Sequence, residues 1–373
     1  MNKNKLKTDK YLTGFKKYVS IESAIKHIAD FFEEEEESFF SRRSSKSSAP
    51  LSENFGPYEL FKFSEAMNLY NNVVMNYGSE SGYARDLLQE FLKNGNRKQI
   101  AKAPAIDEVE ALRLRFPNFS QAIDQLAAAT ALSHLSNQQY FVMKPLLLLG
   151  PAGVGKTAFC QSVAKLLNVP FKRFDIAQMT SNAILSGLSL SWSSGQPGEL
   201  LRYMSSSPVI NPMILFDEID KAAGHVHHPI EPTLLTLLEP ESARAFKDEA
   251  MKLSFDCQHI LCFATANDAL SMSQPLLSRF DVVQIRKPNQ LETRVIIKNM
   301  YQDFLKNHAW GKLFSTALDD KVVDRLVEYT PRRIKAILQA AFGKAARRNS
   351  NEIGVMDIEN LQYEETSRRI GFV

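Results

Sequence analysis

The chain is 373 residues long, 44% hydrophobic and 23% charged, a balance common to soluble globular proteins with room for two or three domains. Its formal net charge of +3 is near neutral for this size and argues against a nucleic-acid coat or a membrane-surface protein. No apolar run reaches the length that spans a bilayer, so no membrane partner is expected.

The lysine-rich start (Lys3, Lys5, Lys7, Lys10, Lys16, Lys17) lacks the apolar core of a secretory signal. Cys160, Cys257 and Cys262 show no C-x-x-C spacing. A zinc site or disulfide framework is therefore not expected, and a reducing, cytoplasmic setting is.

In chain order, residues 1–40 read as an N-terminal helical segment: Tyr18, Ile21, Ala24, Ile25, Ile28 and Phe32 recur at spacings of three and four. Residues 41–56 are serine-rich without periodicity, a flexible linker. Residues 57–105 regain helical patterning and read as a helical adaptor region carrying no chemistry. Phe116 and Phe119 precede a helix over about 120–136 that Ser120 could cap. They stand either as nucleotide contacts or as ordinary helix packing.

Leu146 to Leu149 are an apolar run ending in glycine, the pattern of a buried parallel strand. Then comes Gly150-Pro151-Ala152-Gly153-Val154-Gly155-Lys156-Thr157, a complete G-x-x-x-x-G-K-T. Glycines let successive N–H groups point into one concavity that suits phosphate oxygens. Lys156 adds a charge for the β- and γ-phosphates, and the Thr157 hydroxyl can ligate Mg²⁺. The helix beginning at Ala158 turns its positive end toward the same anion. The spacing predicts an ATP-type Mg-nucleoside triphosphate site.

Strands and helices then alternate, which predicts a parallel sheet covered on both faces. Met213 to Glu218 is an apolar strand ending in two carboxylates. Asp217 can hold Mg²⁺ through its water shell, and Glu218 is placed to polarise an attacking water. His225, His227 and His228 cluster in a loop, without the further ligands a metal site needs. Leu261 to Asn267 is a strand whose terminal amide can reach the γ-phosphate or the water. Arg279 follows a short helical turn, and Arg332 and Arg333 follow Thr330-Pro331; each is either a phosphate-neutralising arginine or a surface ion pair. From about residue 290 the pattern is wholly helical.

This order of motifs resembles the AAA+ ATPase module. It is most similar to the ATPase part of Lon-type proteases, over about residues 107–366. The resemblance rests on Pro145 to Thr157, Asp217-Glu-Ile-Asp-Lys221, Leu234 to Glu241 with Phe246, Phe263 to Asn267, and Pro275 to Phe280. It implies an α/β fold: a P-loop parallel sheet covered by helices, with a C-terminal helical lid and a mainly helical N-terminal region. The large nucleotide-binding subdomain would be 106–287, the lid 288–366 and a tail 367–373. Asp217 and Glu218 would be the metal-coordinating and catalytic carboxylates, Asn267 sensor 1, and Arg279 the finger reaching a neighbouring subunit. Arg332 fits sensor 2, with Arg333 the adjacent alternative.

Ser191 to Gly198 resembles the Lon pore loop, with Trp192 in the place of the gripping aromatic; packing of that Trp into the core is the bland alternative. Ala152 and Ser193 depart from the family pattern. The resemblance implies a homo-oligomeric ring, expected to be a hexamer, that uses ATP and Mg²⁺ to remodel or unfold a protein client. No proteolytic Ser-Lys constellation follows the lid, so protease activity is not expected. Ile370-Gly371-Phe372 is similar to a tripeptide with which unfoldases dock a separate peptidase. A nucleic-acid motor or loader is disfavoured by the lack of a basic, aromatic-interleaved stripe. A regulatory switch acting on a separately encoded effector is the other alternative.

Overall fold

The computed structural model describes residues 58–77, 96–136, 140–190, 195–224 and 229–359, with positions 86, 88, 89, 92 and 192. The N-terminal helix and serine-rich linker read from the sequence lie outside these residues. So do the histidine cluster and the Ile370-Gly371-Phe372 tail.

Five strands form the central sheet: β1 (Leu146–Leu149), β2 (Phe171–Asp175), β3 (Met213–Asp217), β4 (Leu261–Ala266) and β5 (Asp281–Gln284). They pair in the order β2-β3-β4-β1-β5, and every pairing is parallel. Strand side chains alternate between faces, and here both faces are apolar. Leu146, Leu148, Met213, Leu215, Leu261 and Phe263 enter one core. Leu147, Leu149, Ile214, Phe216, Cys262 and Ala264 enter the other. Burial on both sides explains why β1, β3 and β4 read as unbroken apolar runs.

Two helices precede β1, α1 (Phe63–Tyr77) and α2 (Ser120–Leu135), and the connections between strands carry α3 (Lys156–Leu166), α4 (Glu199–Ser206) and α5 (Glu231–Leu238). Ser120 opens α2 without capping it: a turn of 3₁₀-helix over Pro117–Phe119 feeds the helix directly, and no side chain bonds its end. The region read as a helical adaptor also contains a strand. Tyr58–Glu59 pairs antiparallel with Arg97–Lys98. Leu60, Phe61, Ala66, Leu88 and Leu92 are buried in the same core as Phe216 and Ile214. A two-residue ladder has too little alternation to be read locally. The same holds for the hairpin Phe246–Lys247 with Ser254–Phe255.

Beyond the sheet lie α6 (Gln290–Asn307), α7 (Asp320–Leu326), α8 (Pro331–Arg347) and α9 (Val355–Glu359). Their starts are written locally. Asn289 and Glu292 form a reciprocal capping box. Thr330 caps α8, with Pro331 at its first turn. These helices share a third core around Tyr301, Phe304, Leu338 and Phe342, in which Phe342 stacks on Tyr301 at 5.3 Å between ring centres. Asn299 Nδ2 donates to Leu114 O at 2.7 Å, and Arg115 pairs with Asp303, so α6 is tied to the segment that precedes the sheet.

Candidate functional site

The sheet order decides what meets. β1 lies beside β4, and β4 beside β3, so the loops after all three strands open at one carboxyl edge. Open parallel sheets bind ligands at that edge. Leu149 stands opposite Ala266, and Phe216 opposite Ala264. Gly150, Asp217 and Asn267 therefore emerge together although they are far apart in sequence.

Gly155 holds φ 107°, a left-handed turn that glycine enters without a Cβ penalty, and it hands the loop to α3. Lys156 is buried. Its Nζ donates to Gly150 O at 2.5 Å, Pro151 O at 3.1 Å and Asn267 Oδ1 at 3.0 Å. Burial pushes its ammonium below the usual lysine range, and the charges of Asp217, Asp220 and Glu218 oppose that shift.

Asp217 is also buried, and its carboxylate is surrounded by donors. The Thr157 hydroxyl lies 3.2 Å from Oδ2. Thr265 Oγ1 donates to Oδ1. The Arg173 guanidinium reaches from β2, its Nε 2.7 Å from Oδ2 and its Nη2 3.0 Å from Asp175. Thr265 also accepts from the backbone N–H of Glu218 at 3.1 Å. Glu218 sits at φ 58°, a left-handed conformation rare outside glycine. Strained backbone of this kind costs about 1–3 kcal/mol and concentrates at functional sites. It turns the chain abruptly out of β3, so Glu218 leaves the strand's alternation.

The donor set fits a hard divalent cation held partly through water: a threonine hydroxyl beside a buried carboxylate, both oxygen ligands. When bound, Mg²⁺ would neutralise charge on the phosphates. Thr157 and Asp217 are the residues that would hold it. Among the described residues, no group of three or more His, Cys, Asp or Glu side chains is arranged to hold a metal. The cysteines are buried and free, with the Cys262 thiol pushed up to about 12 by burial.

The N-terminus of α8 closes on the phosphate loop. Arg332 N–H donates to Gly153 O at 3.3 Å, and the positive charge of Arg332 is felt at Lys156. Arg333 N–H instead joins the Thr330 cap at 3.4 Å. A cleft of about 280 Å³ opens between the loop and the helices, lined by Phe116, Val154, Ala158, Ile296, Met300 and Pro331 among others. The two phenylalanines read from the sequence share one core, their rings 5.6 Å apart and both against Phe159. Phe116 also lines the cleft.

Residues 146–287 match the family model described as ATPase family associated with various cellular activities (AAA). The chain carries an AAA ATPase domain. This AAA domain is related to those of Lon proteases. The chain is 28% identical over 224 residues to the mitochondrial Lon protease homolog of Candida glabrata, covering 58% of this chain and 22% of that protein. It is 29% identical over 207 residues to Lon protease 1 of Bacillus subtilis, covering 54% and 27%. With the Lon protease of Chlamydia trachomatis it shares 34% over 140 residues, covering 38% and 17%. The aligned stretches thus span less than a third of these relatives' lengths. A closed-state cryo-EM reconstruction of Hsp104 with ATPγS and FITC casein has the same fold, with a TM-score of 0.53 at 15% identity over 77% of this chain and 53% of that one.

Two predicted positions lie apart from the loop of the AAA domain. Arg279 Nη2 is 2.9 Å from Glu239, just past α5. Trp192 is 67% exposed, so the packed-core alternative is wrong. Its loop is closed at the base by the paired Leu188 and Gln196, whose N–H groups each donate to the other's carbonyl at 2.9 and 3.0 Å.

Thr265, Arg173 and Asp220 were not among the predicted residues. Asp220 is buried close enough to Lys156 to raise its basicity, and its presence in Asp-Glu-Ile-Asp was a local signal. Thr265 had only its place two residues before Asn267. Thr265→Val is expected to lower stability by about 1–3 kcal/mol, because it orphans the Glu218 N–H and strips a donor from Asp217. ATP turnover is expected to fall about tenfold, a barrier rise of about 1.4 kcal/mol. Thermal unfolding and steady-state phosphate release check both.

Proposed function

We propose that this chain is a Lon-like AAA+ ATPase that assembles into a ring, hydrolyses ATP with Mg²⁺, and threads a protein client past Trp192. The observation that carries the reading is the pairing of two features in one unit. One is a convergent phosphate site, with Lys156, Thr157, Asp217, Glu218 and Asn267 on one sheet edge. The other is an aromatic held 67% exposed on a closed loop. An exposed indole grips extended chain through apolar contact that ignores sequence.

In this reading the loop from Gly150 to Ala158 binds the phosphates, and the cleft beside Phe116 takes the base. Glu218 accepts a proton from the attacking water. Asn267 orients that water without adding charge, and Arg332 senses the γ-phosphate. The contact of Arg332 with Gly153 O supports its choice over Arg333. The held position of Arg279 against Glu239 supports a role outside its own site, in which it completes a neighbour's. The ring would then be a hexamer working in the cytoplasm, with no membrane partner. Among the described residues, no helix is long and apolar enough to cross a membrane.

Trp192→Ala tests the threading. ATP turnover stimulated by an unfolded protein is expected to fall at least about tenfold, with nucleotide affinity retained. Stimulation unchanged in that variant, or brought about by DNA instead, favours the switch or the nucleic-acid motor. Mixing Arg279→Ala with Lys156→Ala protomers tests the shared site. Each variant alone is expected to be nearly inactive, and the mixture to regain a measurable fraction, because a finger supplied from a neighbour is worth ~10³–10⁵ in rate. Phosphate release across a mixing series reads the result; a flat series removes the trans arrangement.

A further inference from the structure

The two flanks of the Trp192 loop converge on one carboxylate from elsewhere in the chain. Gly187 ends the short helix Ala183–Ser186, and Gly198 leads into α4. Asp248 lies in the turn between the strands Phe246–Lys247 and Ser254–Phe255. Its Oδ2 accepts from the Gly198 N–H at 2.8 Å, and its Oδ1 accepts from the Met251 N–H at 2.8 Å. The next residue, Glu249, donates its N–H to Ser186 O at 2.6 Å. Gly187 holds φ 81°, and a Cβ there would stand 2.9 Å from both Asp248 oxygens. One side of the loop is thus hydrogen-bonded to this turn, and the other is packed against it too closely for any side chain.

Asp248 is completely buried, and burial pushes its carboxyl above the usual aspartate range. The groups that bond it are backbone N–H donors, of Met251, Gly198 and Ala250. A buried carboxylate is costly unless its oxygens are satisfied, and an apolar side chain would fill the same space without that cost. What the carboxylate supplies is direction: it joins two segments that no strand pairing connects. The turn itself reaches solvent, with the Lys252 and Glu249 side chains about half exposed and paired at 2.6 Å.

We propose that Asp248 is a positioning residue for the Trp192 loop, locking it to the 248–253 turn so that the two loops move as one body. That the client is gripped by this loop rests on the function proposed above; the lock itself does not. The test is Asp248→Asn in the full chain. An amide offers one acceptor oxygen, and its NH₂ cannot receive a backbone N–H, so one of the two bonds is lost. Amide hydrogen exchange over 196–200 and 249–253 is expected to quicken about tenfold while β1, β3 and β4 keep their protection. The unfolded-protein concentration giving half-maximal ATPase stimulation is expected to rise about tenfold. ADP affinity, read with a fluorescent analogue, serves as the check that the fold is intact.

Gly187→Ala, which presses on the same carboxylate, is the second variant and is expected to shift both readings in the same direction. Wild-type exchange and wild-type half-saturation in both variants overturn the proposal, as does faster exchange spread evenly over the sheet. If Trp192→Ala leaves stimulation untouched, threading falls. The exchange pattern then decides the lock by itself.

Discussion

Lys156→Ala is expected to weaken ATP binding by about 10²–10⁴-fold. Hydrogen bonds to charged groups are worth about 1.5–3 kcal/mol each, and the ammonium stands to make two with the phosphates. The structure sharpens this expectation. Lys156 already sits at the loop, its Nζ within 3.1 Å of Gly150 O and Pro151 O and 3.0 Å from Asn267 Oδ1. It exchanges neutral acceptors for phosphate oxygens, so little ordering remains to be done on binding. Burial pushes the Lys156 ammonium below the usual lysine range, and the charges of Asp217, Asp220 and Glu218 oppose that shift. Titration with a fluorescent ATP analogue reads the effect; an affinity within threefold of the parent would remove Lys156 from the phosphate site. Arginine in its place is not expected to rescue binding, because the planar fork does not fit the compact contact with two loop carbonyls.

Glu218→Gln is expected to leave ATP affinity almost unchanged and to slow hydrolysis by about 10²–10⁴-fold, the usual worth of a positioned general base. The substitution is nearly isosteric. It keeps the backbone at φ 58° and the N–H bond to Thr265, and it removes only the basic oxygen. Single-turnover hydrolysis of labelled ATP separates this from a binding defect: the variant should hold intact ATP while the parent converts it. Hydrolysis at the parental rate would assign the base elsewhere, with Asp220 a second buried carboxylate whose charge acts on Lys156.

The strands and helices around the glycine loop were legible because their signals are contiguous. Gly150 to Thr157 specify their own turn through glycine torsions and one following helix. Met213 to Glu218 carry strand and carboxylates in one run. The helix starts at Asn289 and Thr330 are written in the capping residues themselves. The sheet's class followed from unbroken apolar runs, since burial on both faces removes alternation. The short ladders at Tyr58 and Phe246 were not legible, because two residues cannot show a period.

By itself the sequence picked out the candidate residues for phosphate and for the attacking water, and determined that strands alternate with helices. Tertiary structure alone decided who meets whom. The order β2-β3-β4-β1-β5 brings Arg173, Asp217, Thr265 and Lys156 together from three strands and the helix that follows β1. It also placed Phe116 at the edge of the cleft, turned Trp192 outward, and set Asp248 beneath its loop. The reason is the range of the forces. Torsional preference and capping act within a turn of the chain, whereas a buried carboxylate's partners are selected by whichever segments the packed core carries to it.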